Sequence, residues 1–172
     1  QPDQERAYSA DFVRELTGAG YLAALIPVEY GGAGLGITQA AVILEEINRC
    51  GANAGACHAQ MYIMGSLLRH GSDAQKRAYL PGIADGTLRL QGFGVSEPTT
   101  GSDTTQLKTM AVREGGSYVV HGQKVWISRA EHSDLMLLMV RTTPVEQVKK
   151  RTDGLSMLLV DMRVAGGRGL TI

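Results

Sequence analysis

A loop rich in hydroxyl side chains follows a strand-like segment near the middle of the chain, at Phe93-Gly94-Val95-Ser96-Glu97-Pro98-Thr99-Thr100-Gly101-Ser102-Asp103. The pattern predicts a strand that ends before Pro98, because proline cannot donate to a sheet ladder. The loop would expose backbone N–H groups and hydroxyls that can bind a phosphate or the polar edge of a ring. A capped surface turn has the same composition, so these residues alone leave both interpretations open.

A second segment with chemical potential is Gly122-Gln123-Lys124-Val125-Trp126-Ile127-Ser128, which contains the single tryptophan of the chain. If this segment is a strand, Trp126 and Ser128 lie on one face, because side chains alternate along a strand. That face would offer a flat aromatic wall and a hydroxyl donor. A tryptophan packed in the core beside a turn serine explains the same residues equally well.

Other motifs point away from several classes of site. The glycines of residues 31–36 lack the spacing of a dinucleotide-binding fingerprint and predict a flexible turn. The sequence contains neither a Walker-type phosphate loop nor a Gly-x-Ser-x-Gly nucleophile motif. Its four histidines lack the spacing of metal ligands, so we predict no metal site.

Together and in this order, the two segments resemble the signatures of the acyl-CoA dehydrogenase family. The first signature, an aliphatic residue followed by Ser/Thr, Glu, two free positions, a small residue, Gly, Ser/Thr and Asp, corresponds to residues 95–103. The second, Gly-x-Lys-x-Trp-Ile-Ser/Thr, is met by residues 122–128. Residues 20–27 and 71–81 are similar to the helical N-terminal domain of the family, so the resemblance covers essentially the whole chain.

Three residues depart from the family pattern. Thr100 stands where the family usually has Gly, Ala, Ser or Asn, and Gln106 stands where it has a small residue. We expect both residues to reshape the loop near the ligand. Arg129 stands where many members have Asn, and it implies no change of chemistry by itself.

The resemblance implies an FAD-dependent acyl-CoA dehydrogenase, an oxidoreductase that removes the α-proton of an acyl-CoA thioester and passes the β-hydride to the flavin. Ser96 is expected to bond the pyrimidine edge of the flavin, Ser128 to reach its hydride-accepting nitrogen, and Trp126 to cover the rings. Such hydrogen bonds tune a flavin toward accepting negative charge. The implied cofactor-binding residues are Phe93, Val95, Ser96, Gly101, Ser102, Trp126, Ile127 and Ser128.

No residue of this chain matches the catalytic base of the family, which is a Glu of its C-terminal helical domain. Glu97 lies inside the motif and is expected to be structural, so the chain has no predicted catalytic residue and is expected to be inactive by itself. The resemblance implies that Ser102 also touches the CoA part of the substrate. Cys57, Met61 and Met64 are candidates for contacts with the acyl chain, although an ordinary core stripe has the same spacing.

Alternative functions remain within and beyond the same fold. One is an acyl-CoA oxidase or a flavin monooxygenase, and another is a non-catalytic flavin- or acyl-CoA-binding subunit completed by a partner chain. The family further implies fatty acid metabolism, electron-transfer flavoprotein as electron acceptor, a homotetramer, and a cytoplasmic location, or the mitochondrial matrix in a eukaryote.

Composition is consistent with a globular protein that binds neither nucleic acid nor membranes. The 172 residues include 17 basic and 17 acidic side chains, which gives no charge excess for nucleic-acid binding. The longest apolar run, residues 135–140, is far shorter than the roughly 20 residues of a membrane span. Cys50 and Cys57 are predicted to be free thiols in a reducing compartment.

The hydrophobic periodicity predicts helices in the first half, over residues 9–17, 38–50 and 55–70. A capping box at Ser72 opens a shorter helix that we expect to end at Leu80, before Pro81-Gly82.

The second half predicts strands over residues 88–96, 135–141 and 155–161, with hairpins at Gly115-Gly116 and His121-Gly122. The expected fold is therefore α+β: an all-helical N-terminal domain over residues 1–88, then an antiparallel β-barrel-like middle domain over residues 89–172. Both ends look cut, so we expect a middle domain that is incomplete at its C-terminal end.

Overall fold

The computed structural model describes residues 9–167 and 169–172 of the chain. The chain divides into two compact units between Gln91 and Gly92. The first unit is helical and the second is built around a β-sheet, which confirms the predicted α+β class with helices before strands.

Four α-helices lie in the described part of the first unit, and their ends follow from local sequence. They are α1 (Ala10–Gly18), α2 (Ile37–Arg49), α3 (Gly55–His70) and α4 (Asp73–Ala84). The Ser9 side chain accepts from the Phe12 N–H at the start of α1, and Ser72 forms the predicted capping box with Gln75 at the start of α4. None of the helices in the described residues is long and apolar enough to cross a membrane.

The predicted end of the fourth helix is wrong. Helix α4 continues through Pro81 to Ala84, and the Asp85 N–H still donates to the Pro81 carbonyl at 3.0 Å. Proline removes one donor and its ring crowds the preceding turn, which weakens a helix. Leu80 and Ile83 flank Pro81 and are fully buried, so tertiary packing holds the last turn that local sequence disfavours.

The glycine-rich turn of residues 31–36 packs tightly against the segment before it. The Gly34 N–H donates to the Ile26 carbonyl and the Leu35 N–H to the Ala24 carbonyl, both at 2.8 Å. A Cβ added at Gly32 would overlap the Ile26 carbonyl and Cβ. The turn is therefore present as predicted, but its backbone is fixed by hydrogen bonds and close contact.

The second unit contains a mixed sheet of five strands, in the order β1-β4-β2-β3 with β5 also paired to β4. Strands β4 and β5 are antiparallel along their whole length, and β2 and β3 form the predicted hairpin at Gly115-Gly116. Strand β2 meets β4 in parallel at Met110 and Arg141, so the sheet is neither wholly antiparallel nor a closed barrel. The strands are β1 (Leu90–Gly94), β2 (Met110–Glu114), β3 (Ser117–His121), β4 (Leu135–Arg141) and β5 (Leu155–Asp161).

The second predicted hairpin, at His121-Gly122, is wrong. Strand β3 ends at His121, and residues 122–128 form no strand. A Cβ at Gly122 would lie 2.7 Å from Thr109 Cα, so the chain passes close to the backbone beside β2 instead of turning back. Strand β4 begins only at Leu135, after a loop that contains a single 3-10 turn at Ala130–His132. A single-turn helix, α5 (Met162–Ala165), follows β5.

Replacing Gly32 by Ala is expected to lower the free energy of unfolding by about 2 kcal/mol or more, because the Ile26 backbone cannot yield to the added methyl group. Gly18→Ala is the matched control, since no atom lies within 4 Å of its added Cβ. Urea denaturation followed by circular dichroism measures both variants. Equal stability of the two variants would contradict the tight packing of this turn.

Candidate functional site

The hydroxyl-rich loop is shaped by a tight turn that Glu97 closes with Thr100. The Glu97 N–H donates to the Thr100 carbonyl at 2.8 Å, and the Thr100 N–H donates back to the Glu97 carbonyl at 3.1 Å. Pro98 is exposed in this turn, and Ser96 and Ser102 lie on its two sides. The strand ends at Gly94, before Pro98 as expected but two residues short of the predicted end, and the turn brings the segments before and after it to one loop.

The Glu97 side chain is buried and binds donors from two other segments. Its carboxylate accepts from the Lys108 N–H at 2.7 Å, from the Thr109 N–H at 2.9 Å and from the Thr109 hydroxyl at 2.5 Å. The Lys124 ammonium lies 2.9 Å from the same carboxylate, and only 9% of the Lys124 side chain is exposed. Both oxygens of the buried charge are therefore satisfied.

The electrostatics of this group follow from two opposing effects. Burial by itself raises the pKa of the Glu97 carboxyl, because a charge is poorly solvated in the interior. The hydrogen bonds from Thr109, Lys108 and Lys124 together outweigh burial and lower the pKa from 4.5 to about 2. Such a weak base is unsuited to abstracting a proton at neutral pH, which supports the structural role predicted for Glu97.

The second motif segment is joined directly to the loop. The Lys124 ammonium also donates to the Val95 carbonyl at 3.0 Å, and the Val125 N–H donates to the Ser96 carbonyl at 2.9 Å. The structure thus brings together the two segments that the sequence singled out, within one unit of the chain.

Trp126 is neither in a strand nor in the core. Its side chain is 91% exposed and its φ of 60° lies in the left-handed region, which non-glycine residues rarely adopt. Arg129 has a φ of 62°, so the backbone changes direction on both sides of Ser128. The expectation that strand alternation places Trp126 and Ser128 on one face is therefore wrong, as is the alternative of a core tryptophan.

The remaining predicted cofactor residues differ in burial. Phe93, Val95, Ser96 and Ile127 are half-buried, whereas Gly101, Ser102 and Ser128 are exposed. Within the described residues, the hydroxyls of the three serines make no hydrogen bond to the protein. No atom lies within 4 Å of a Cβ built on Gly101, so the space beside it is open.

An exposed indole and unbonded hydroxyls, carried by two segments that are hydrogen-bonded to each other, suit one type of ligand. The indole face can stack on a flat ring, and the hydroxyls can bond the polar edge of that ring or a phosphate. The flavin of FAD combines a flat ring, a polar ring edge and phosphates, so the residues present fit this group.

Thr100 and Gln106, the two residues near the loop that depart from the family pattern, make hydrogen bonds within it. The Thr100 hydroxyl donates to the Gln106 carbonyl at 3.4 Å, and the Gln106 amide donates to Asp103 at 2.6 Å. Asp103 also accepts from the Thr105 N–H at 3.1 Å. These contacts support the expectation that Thr100 and Gln106 shape the loop.

The predicted acyl-contacting side chains lie in the helical unit and are all buried. Cys57 and Met61 belong to its core cluster, and Met64 is fully buried as well. Burial raises the pKa of the Cys57 thiol to about 11, so it is protonated at neutral pH. Packing in this core explains all three residues, and contact with an acyl chain stays a prediction.

The sequence analysis did not identify two residues, Thr109 and Arg141, whose hydrogen bonds organise the second unit. Thr109 supplies two of the donors to Glu97, and Arg141 is buried and donates to four carbonyls, among them Thr105 at 2.8 Å and Arg151 at 3.1 Å. The signal for Arg141 was a charge at the end of an otherwise apolar strand. Among the described residues, no cluster of three or more His, Cys, Asp or Glu side chains could hold a metal ion.

Comparison with known proteins gives matches along most of the chain. The family model of the acyl-CoA dehydrogenase N-terminal domain matches residues 1–87, and that of the middle domain matches residues 92–172. Cyclohex-1-ene-1-carbonyl-CoA dehydrogenase of Syntrophus aciditrophicus (strain SB) is 37% identical over 148 residues, which are 86% of this chain and 35% of that protein.

Solved structures share the fold. An acyl-CoA dehydrogenase from Geobacillus kaustophilus superposes with a TM-score of 0.81 at 28% identity, over 90% of this chain and 40% of that one. A prolyl acyl carrier protein oxidase also gives a TM-score of 0.81, at 26% identity and with the same coverage. The chain thus spans only 35% to 40% of the length of these proteins.

Glu97→Gln is expected to remove a pH dependence of stability. The folded-state pKa of about 2 lies below the ordinary value of 4.5, so the ionised carboxylate stabilises the fold above pH 4.5 and this contribution disappears as the pH falls toward 2. The wild-type chain should lose on the order of 3 kcal/mol of unfolding free energy over this range through Glu97.

Urea denaturation between pH 7 and pH 2 measures this contribution. The exposed Glu114→Gln is the matched control and should retain the wild-type pH dependence. If Glu97→Gln and Glu114→Gln lose stability in parallel with the wild type, the Glu97 carboxylate does not have the strong hydrogen bonds described.

Proposed function

Because the chain belongs to the acyl-CoA dehydrogenase family, we propose that it forms the flavin-binding part of an FAD-dependent acyl-CoA dehydrogenase that desaturates an acyl-CoA thioester between its α and β carbons. The observation that carries this proposal is the 91% exposed indole of Trp126, whose preceding residue Val125 is hydrogen-bonded to the loop that carries the unbonded hydroxyls. An indole so exposed leaves a large apolar area in contact with water, and a stacked ring would cover it.

Three serine hydroxyls have distinct roles in this proposal. Ser96 bonds the pyrimidine edge of the flavin, and Ser128 donates to its hydride-accepting nitrogen. Ser102, together with the open space at Gly101, bonds the phosphates and the CoA part of the substrate. Phe93, Val95 and Ile127, which are half-buried, supply the apolar sides of the site.

The chemistry that bound FAD supplies is acceptance of a hydride from the β-carbon of the acyl group. The hydroxyl donors of this chain favour that step, because they bond nitrogen and oxygen atoms on which negative charge develops. Removal of the α-proton needs a base, and Glu97 is unsuited by its low pKa. We place the base outside this chain.

Further features are proposals that rest on family membership alone. They include acyl-chain contacts of Cys57, Met61 and Met64, a role in fatty acid metabolism, and electron-transfer flavoprotein as electron acceptor. A homotetramer and a location in the cytoplasm, or in the mitochondrial matrix of a eukaryote, belong to the same set.

A second candidate is an oxidase of the same fold, in which molecular oxygen takes the electrons. It is favoured by the likeness to a prolyl acyl carrier protein oxidase, whose TM-score equals that of the dehydrogenase. Oxygen consumption during turnover separates the two functions, because only the oxidase consumes oxygen in step with substrate.

An anaerobic titration tests the flavin site and the position of the base. Adding FAD to the chain should quench Trp126 fluorescence, and this signal is unambiguous because the chain has one tryptophan. A panel of acyl-CoA thioesters should then leave the oxidised flavin band at about 450 nm unchanged, because the β-carbon does not release its hydride unless the α-proton is removed. Absence of quenching contradicts the flavin site, and bleaching contradicts the position of the base.

Ser128→Ala is expected to lower the reduction potential of bound FAD by on the order of 20 mV, which corresponds to one hydrogen bond of about 1 kcal/mol that strengthens on reduction. Ser117→Ala, an exposed serine in β3, is the matched control and should leave the potential unchanged. Photoreduction with a reference dye measures both. An unchanged potential in Ser128→Ala would show that its hydroxyl does not bond the flavin.

A further inference from the structure

We propose that Lys124 is a positioning residue, whose ammonium fixes the loop at Val95–Glu97 and the segment that carries Trp126 in one arrangement for the ring of a bound flavin. This inference rests on the flavin site proposed above. It assigns to Lys124 an effect on ligand binding that is separate from its effect on stability.

Lys124 and Val125 together make three hydrogen bonds to the loop. The Lys124 ammonium donates to the Val95 carbonyl at 3.0 Å and to the Glu97 carboxylate at 2.9 Å, which lie on either side of Ser96. The next residue, Val125, donates its N–H to the Ser96 carbonyl at 2.9 Å. Three bonds thus join three consecutive loop residues to two consecutive residues of the other segment.

The glycine at position 94 leaves space through which the Lys124 side chain passes. A Cβ built on Gly94 would lie 3.5 Å from Lys124 Cγ and 2.8 Å from Leu138 Cδ1. Strand β1 therefore ends on a residue without a side chain at the point where the aliphatic stem of Lys124 crosses it. The stem is enclosed and only 9% of the side chain is exposed, and the ammonium is held between the Val95 carbonyl and the Glu97 carboxylate.

The backbone that follows Lys124 has an unusual conformation at Trp126. Trp126 has a φ of 60°, which costs conformational energy for a bulky residue and persists only where the surroundings impose it. The indole itself is 91% exposed and has little packing to impose this conformation. The bonds of Val125 and Lys124, which lie one and two residues before Trp126, are the contacts that fix the backbone leading to it.

A double variant separates the effect of Lys124 on ligand position from its effect on stability, because it leaves no unpaired carboxylate at Glu97. Lys124→Met leaves Glu97 buried without its cation, so it should weaken both the fold and FAD binding. In the double variant Glu97→Gln/Lys124→Met, neither position 97 nor position 124 carries a buried charge, whereas the Val95 carbonyl still lacks its donor. Lys149→Met, at an exposed lysine of the same unit, is the matched control for loss of one positive charge.

Three properties of each variant of the 172-residue chain are measured: stability, FAD affinity and the visible absorption of bound FAD. Urea denaturation gives stability, and quenching of Trp126 fluorescence by FAD gives the dissociation constant. The double variant should regain stability relative to Lys124→Met but bind FAD about tenfold more weakly than the wild type, the effect of one lost charge-assisted hydrogen bond. Its bound FAD should also show an altered visible absorption band, whereas Lys149→Met should match the wild type throughout.

Recovery of wild-type FAD affinity in the double variant would overturn the inference, because Lys124 would then act on stability alone. If Lys124→Met does not fold, the double variant decides, by its FAD affinity relative to the single variant Glu97→Gln and to Lys149→Met. A wild-type chain whose tryptophan is not quenched by FAD overturns the proposed flavin site itself and the positioning role with it, which is a distinct result.

Discussion

The buried carboxylate of Glu97 is the constraint from which the arrangement of the second unit follows. A buried charge is costly unless it is paired and hydrogen-bonded, and here the donors come from Lys108, Thr109 and Lys124. Because these donors belong to two segments remote from Glu97 in sequence, satisfying one charge fixes three parts of the chain at once. Thr109 in turn accepts the Arg141 N–H through its carbonyl, which links the same network to the end of β4.

The predicted ligand-binding groups lie on the outer side of this network. Ser96 immediately precedes Glu97, and Trp126 follows Lys124 by two residues, so both are attached to backbone that the buried bonds hold. Their own side chains make few contacts, since the indole is 91% exposed and the Ser96 hydroxyl is unbonded within the described residues. Functional groups without protein partners are thus attached to a backbone that is already fixed. This arrangement favours binding, because little conformational entropy is lost when a ligand binds.

Local sequence predicted those elements whose signals agree with their tertiary surroundings. The capping box at Ser72, the hairpin at Gly115-Gly116 and the apolar strand β4 have such signals, and the structure contains all three. Prediction failed where long-range contact decided the backbone. Helix α4 passes Pro81 because its neighbours are buried, and residues 122–128 leave the strand conformation because Gly122 meets Thr109 and Lys124 meets Glu97. The hydrophobic pattern within each of these segments contains no information about the distant residues that the segment contacts.

The use of an ion pair at this point also has a physical reason. Apolar side chains of similar volume often stabilise a core as well as or better than a buried ion pair does, so stability alone does not favour Glu97 and Lys124. An apolar pair, however, has no preferred direction, whereas the ammonium must point at both the Val95 carbonyl and the carboxylate. Directional bonds restrict the two segments to one relative register. A site that places hydroxyls along the edge of a ring and an indole on its face depends on that register, because hydrogen bonds weaken steeply when their geometry is poor.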